Sequence, residues 1–218
     1  HAVGAVYRNA DPSDIVVTAA GGLVGEVVQI WKPKQINTFE TEWGFSCMGY
    51  EISGALGIKI AKPDKDIIVF IGDGSYLLQN SDIYSSVIYD KKLIIVVCDN
   101  NGHMVINRLQ LAKGGKEYLC GLKTSRASNF VEVDFAAHAK SMGAESETVT
   151  STSELEAAFK RAKESKKTYV IAIKTHGYEW LEGTAFWESP TLEVHTTDEN
   201  KKAYADHLDG KNKQRKGV

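Results

Sequence analysis

Two apolar runs of the same kind dominate this chain: Asp66-Ile67-Ile68-Val69-Phe70-Ile71 and Leu93-Ile94-Ile95-Val96-Val97-Cys98. Each is rich in β-branched residues and lacks the polar alternation of a half-exposed strand. Each therefore reads as a strand buried on both faces of a parallel sheet. The first ends in Gly72-Asp73-Gly74-Ser75 and the second in Asp99-Asn100-Asn101-Gly102, with a helical pattern over Ser81–Tyr89 between them. Parallel neighbours joined by one right-handed crossover present their carboxyl ends at the same sheet edge. Asp73 and Asn100, twenty-seven residues apart, therefore converge on one small object.

Residue type says what that object can be. Asp73 offers a hard anionic oxygen and Asn100 a neutral one, and the Gly102 carbonyl, on a residue without Cβ, offers a third. Three protein oxygens are too few for calcium. They suit Mg²⁺, which completes its octahedron with phosphate oxygens and water. Gly72 closes the strand, and Gly74 and Ser75 open the following helix, so their amides would hold a phosphate at the same point. Rival phosphate motifs fit less well. The third glycine of a dinucleotide fingerprint is missing after Gly72, Gly21-Gly22-Leu23-Val24-Gly25 has the wrong spacing, and no Gly-Lys-Ser/Thr P-loop occurs.

With both ends and the gap in agreement, Gly72-Asp73-Gly74 followed by Asn100 and Gly102 resembles the cofactor motif of thiamine-diphosphate (ThDP) enzymes. The resemblance implies Asp73, Asn100 and the Gly102 carbonyl as Mg²⁺ ligands, with Gly72, Gly74 and Ser75 at the diphosphate. Upstream, Gly44-Phe45-Ser46-Cys47-Met48-Gly49-Tyr50-Glu51 is similar to the family segment under the aminopyrimidine ring. That likeness implies Met48 as the apolar wedge that bends the cofactor, with its amide at a ring nitrogen. The Ser46 carbonyl would then face the 4′-amino group. Residues 42–51 and 99–110 are most similar to the inositol-catabolic branch of the family, where Asp-Asn stands in place of the commoner Asn-Asn.

From that branch follows a hydrolase opening a carbon–carbon bond of a polyhydroxylated cyclic 1,2-dione. The alternatives are an acetolactate-synthase-like carboligase or 2-oxoacid decarboxylase, the β subunit of a split oxoacid decarboxylase, and a binding module without catalysis. The family's catalytic glutamate comes from a separate pyrimidine-binding domain, and Glu40, Glu42 and Glu51 fall on the wrong side of the expected site. The resemblance thus implies that this domain comes from a missing N-terminal part or another subunit. It also implies that the chain alone is inactive and that the assembly is a homodimer or larger. A first residue of His1 rather than Met suits a fragment or a processed subunit.

Composition narrows the remaining classes. A length of 218 residues is enough for one compact core, and a net charge of −2 argues against nucleic acid as a partner. No apolar run reaches membrane-spanning length, no secretory leader pattern is apparent, and the three cysteines include no C-x-x-C. A soluble cytoplasmic setting is the expectation.

The rest of the chain alternates strand and helix. Strands are expected at Ile15–Thr18, Ile36–Glu40, Glu145–Val149 and Thr168–Lys174, and helices at Leu23–Trp31, Met48–Ala61 and Asp134–Met142. A further helix should be opened by a capping box at Ser153-Glu154-Leu155-Glu156. This predicts a three-layer α/β/α domain over residues 1–176, with a mostly parallel sheet of about six strands. A C-terminal extension over 177–218 should hold a short helix at Thr197–Leu208 and a disordered basic end. Residues 102–130 show no clear period and read as a loop covering the cofactor. In it His103, Asn107 and Arg108 are the candidates for contact with the reacting or hydroxylated parts of a substrate.

Overall fold

A computed structural model describes residues 1–123, 129–181 and 191–214. Its sheet contains β1 (Ile15–Thr18), β2 (Phe39–Thr41), β3 (Ile67–Gly72), β4 (Ile94–Asp99), β5 (Glu145–Val149) and β6 (Tyr169–Lys174). The order is β2-β1-β3-β4-β6-β5, and every neighbouring pair is parallel. One face is covered by α1 (Ala2–Asn9), α2 (Gly21–Ile30) and α8 (Thr152–Glu164), whose Val6, Val27 and Phe159 pack on Val16, Phe70 and Val96. The other is covered by α3 (Tyr50–Ala61), α5 (Asp82–Ile88) and α7 (Phe135–Ser141), whose Ile52, Ile83 and Phe135 pack on Val69, Ile71 and Val97. The three-layer α/β/α architecture follows because β3 and β4 carry apolar side chains on both faces and must be covered twice. Full burial of a side chain such as Phe70 contributes about 1.5–3 kcal/mol.

The strand order turns around between β1 and β3: β1 leads outward to β2, β3 outward to β4. In open α/β sheets that reversal opens a crevice beyond the carboxyl ends of the strands. Here it lies between the turn after β1 and the turn from β3 into α4 (Asp73–Leu78). The opposite edge is pinned by Lys163, which pairs with Asp11 and Asp14 before β1 and with Asp66 before β3, at 2.8, 2.8 and 2.9 Å.

Several element bounds differ from the sequence reading, each for a local reason. The second strand begins at Phe39 instead of Ile36, because Asn37 adopts φ 62° and the Thr38 hydroxyl closes a turn on the Gln35 carbonyl. Helix α3 begins at Tyr50 instead of Met48, since Gly49 at φ 96° cannot be helical. The capping box of α8 lies two residues earlier than expected. Ser151, not Ser153, accepts from the Glu154 amide, and Glu154 accepts from Thr150.

The supposedly aperiodic stretch contains α6 (Met104–Ala112), a helix with Met104 and Asn107 buried and Ile106 and Leu111 exposed. The amino-terminal α1, which the sequence reading left out, buries Val3, Ala5 and Val6. The last helix, α9 (Asp198–Lys213), runs past Leu208 into the stretch expected to be disordered. The α9 residue Asn200 donates to the Lys113 and Gly114 carbonyls just beyond α6. Phe186, Trp187 and the last four residues lie outside the described residues.

Candidate active site

The site begins with Asp73, 1% exposed at the first position of α4. Gly72 carries the chain out of β3 in an extended conformation, and the helix turn then aims the Asp73 side chain across at the end of β4. Its Oδ2 accepts from the Gly102 amide at 2.7 Å, and its Oδ1 accepts from its neighbour, the Gly74 amide, at 3.0 Å. Asp73 and Gly102 are therefore in direct contact across the ends of β3 and β4. Burial and the nearby Asp99 carboxylate push the Asp73 carboxyl up to about 7. Two buried carboxylates side by side are costly without a cation.

Asn100 follows β4, and its Oδ1 is buried without a hydrogen-bond partner. A buried acceptor left unsatisfied costs about 1–3 kcal/mol. A divalent cation beside Asp73 would satisfy it. Gly102 has φ 147°, and a Cβ there would fall 2.3 Å from the Cys120 carbonyl oxygen. Only glycine lets the chain pass so close, in the one-residue bridge that Gly102 makes with Gly121. Asp99 is occupied elsewhere: it accepts from the Asn101 amide at 2.9 Å and pairs with Lys174 at 2.5 Å. Lys174 also pairs with Glu132. The donor set thus fits a hard divalent cation: one ionisable oxygen, one orphaned amide oxygen and a carbonyl on a residue locked to the first.

The second motif forms a turn between β2 and α3. Glu42 organises it by accepting from the Phe45 and Cys47 amides at 2.9 and 2.6 Å, which hold its carboxyl below the usual range. Ser46 sits at φ 52°, and Met48 is 38% exposed. A Cβ on Gly74 would lie 3.4 Å from Met48 Cε and 2.6 Å from the His103 ring. Met48, His103 and the Gly74 amide therefore share one small volume, open because Gly74 has no side chain. Ser75 is 4% exposed behind them.

The three substrate-contact candidates fare differently. His103, exposed at the start of α6, is at the site. Asn107 is 1% exposed: its Nδ2 donates to Met104 Sδ within the same helix at 3.6 Å, and its Oδ1, like that of Asn100, is buried without a hydrogen-bond partner. Arg108 stacks over the Trp180 ring at 4.4 Å, tying α6 to the extension. Helical spacing explains both, because residues that a loop could present together fall on different sides of α6. Glu51, in the first turn of α3, is buried between the Met48 turn and the turn after β1. Its carboxylate accepts from the Gly49 amide at 2.9 Å and the Ala20 amide at 3.2 Å.

Comparison with known proteins bears on this geometry. Residues 19–173 match the family described as "Thiamine pyrophosphate enzyme, C-terminal TPP binding domain". The chain is similar to 3D-(3,5/4)-trihydroxycyclohexane-1,2-dione hydrolases. It is 38% identical to that of Lacticaseibacillus casei over 94% of this chain and 32% of the relative. With that of Halalkalibacterium halodurans the identity is 36%, over 91% of this chain and 31% of the relative. The chain thus spans about a third of the length of the curated relatives it matches.

Two solved structures share the fold. The ThDP-dependent 4-hydroxybenzoylformate decarboxylase of Rhodococcus jostii RHA1 superposes with TM-score 0.69 at 18% identity, over 80% of this chain and 32% of that one. The benzoylformate decarboxylase of Polynucleobacter necessarius gives TM-score 0.66 at 21% identity, over 81% and 32%.

Proposed function

Because the chain belongs to the thiamine pyrophosphate enzyme family, as its C-terminal TPP binding domain, we propose that it is the diphosphate-anchoring part of a hydrolase acting on a cyclic 1,2-dione. The substrate assignment draws on relatives 34–38% identical that carry the name trihydroxycyclohexane-1,2-dione hydrolase. The observation that carries the anchoring role is the Asp73–Gly102 hydrogen bond, with Gly102 two residues beyond an Asn100 whose Oδ1 is buried and unpartnered.

When bound, ThDP supplies the carbon nucleophile and the electron sink for cleavage next to a carbonyl. The chain's own residues bind and orient. Asp73, Asn100 and the Gly102 carbonyl would hold Mg²⁺, and Gly72, with the Gly74 and Ser75 amides, would face the diphosphate. Met48 and the Ser46 carbonyl would seat the pyrimidine ring. His103, beside Gly74, is an imidazole this chain places at the cleft and the candidate proton carrier among its own residues. Arg108 is engaged with the Trp180 ring, while Asn107 keeps a buried, unpartnered Oδ1 beside Met104 and remains a candidate for contact with the substrate. The carboxylate for the pyrimidine ring comes from a pyrimidine-binding domain in another part of the protein or another subunit, within a homodimer or larger assembly. Among the described residues no helix is long and apolar enough to cross a membrane, and a cytoplasmic setting belongs to the same proposal.

Product analysis tests the reading. The full-length protein with Mg²⁺, ThDP and trihydroxycyclohexane-1,2-dione should consume one water per dione and yield a linear deoxy-hexuronic acid, followed by NMR. Carbon dioxide or an acyloin from a 2-oxoacid, with the dione untouched, would establish the decarboxylase or carboligase reading instead.

A further inference from the structure

Glu51 has no part in holding the metal, yet it is buried beneath the site at 1% exposure. Burial pushes the Glu51 carboxyl above its ordinary range, opposed by the Ala20 and Gly49 amides that its two oxygens accept from and, more weakly, by the Ser75 hydroxyl. These partners lie on three separate segments: the Met48 turn leading into α3, the turn from β1 into α2, and the first turn of α4. Burial is costly for a carboxylate unless donors converge on it, and here they do. Packing alone would ask for no charge, as the neighbouring inward positions Ile52, Ala55 and Leu56 illustrate.

A second contact closes the arrangement from the other side. A Cβ on Gly49 would lie 2.3 Å from Gln79 Cβ, so the backbone after Met48 is pinched between Glu51 and the end of α4. Met48 immediately precedes this clasp, and its Cε would lie 3.4 Å from a Cβ on Gly74.

We propose that Glu51 is a positioning residue of the cofactor cleft: it ties the Met48 turn to the starts of α2 and α4, fixing the distance between the wedge and the diphosphate anchor. The role rests on the ThDP reading above. It matters for a ligand that must reach both places at once, an aromatic ring joined to a diphosphate. Asp73, Asn100 and Gly102 make no hydrogen bond to Glu51, and Ser75 meets it through its hydroxyl, not through the amide that would face the diphosphate, so an isolated diphosphate should sense it far less.

That difference is the test. In the full-length protein at saturating Mg²⁺, ThDP and inorganic pyrophosphate are titrated calorimetrically into wild type and Glu51→Gln. Glutamine keeps one acceptor and sets an amide donor against one of the two backbone N–H groups. ThDP affinity should fall about tenfold or more, on the scale of a lost outer-shell partner, with pyrophosphate affinity within about threefold. Equal losses for the two ligands, or ThDP affinity within about threefold of wild type, would overturn the proposal. Glu51→Asp, which shortens the reach but keeps the charge, provides the same comparison should the glutamine variant fail to fold. A wild-type protein that binds neither ligand overturns the cofactor reading itself, a result distinct from a Glu51 variant that matches a binding wild type.

Discussion

Replacing Asp73 with alanine probes the claim on which the site depends. The carboxylate is the ionisable member of the proposed oxygen set, and it also fixes another member, because its Oδ2 accepts from the Gly102 amide at 2.7 Å. A hydrogen bond to a charged acceptor contributes about 1.5–3 kcal/mol. Its loss frees the residue whose carbonyl is the third ligand. Losing a partner that orients a ligand typically costs about 10–100-fold in metal affinity, and here a ligand goes as well. Asp73→Ala should therefore weaken Mg²⁺-dependent ThDP binding about 100-fold, roughly 2.7 kcal/mol.

The assay is calorimetric titration of ThDP into the full-length protein with and without Mg²⁺, with circular dichroism to confirm that the variant folds. Asp73→Asn should fall between, because it keeps one oxygen but sets an amide donor against the Gly102 or Gly74 amide. A folded alanine variant whose affinity in Mg²⁺ stays within about threefold of wild type would refute the reasoning.

Two further outcomes follow from the same geometry. Without metal, the Asp73 carboxyl lies at about 7 against an ordinary 3.8, so the folded state keeps a proton that the unfolded chain has lost. This group therefore makes stability fall as pH rises between those values; urea denaturation in chelator should show the slope in wild type and its absence in Asp73→Asn. Gly102→Ala would bring a Cβ within 2.3 Å of the Cys120 carbonyl and 2.9 Å of Gly121 Cα, both backbone. It should lower stability by about 1–3 kcal/mol in thermal unfolding and remove most Mg²⁺-dependent ThDP affinity, and unchanged affinity would exclude the Gly102 carbonyl as a ligand.

The parts of this molecule legible from its sequence are those fixed by short-range rules. The runs ending at Gly72 and Asp99 announce buried parallel strands, and the crossover rule then forces Asp73 and Asn100 onto one edge without reference to any other residue. The proposed metal triad is read from residue type at those two strand ends. What lies beyond that depends on partners distant in sequence. Helix α6 escaped because its burial rests on Met104 and Asn107 alone, leaving Ile106 and Leu111 outside and no apolar stripe to read. The same helix turns Asn107 and Arg108 to different sides, whereas a loop could point both at a substrate.

Glu51 shows the limit most clearly. A glutamate in a helix's first turn ordinarily faces solvent and complements the helix dipole. Its burial follows from the Ala20 amide, thirty-one residues upstream, and from Ser75 on another helix. No pattern within α3 encodes either. The residues that chemistry requires to be of one type are therefore readable from local sequence. The residues that set distances between segments emerge only when the segments are brought together, and in this site both kinds bear on one cofactor.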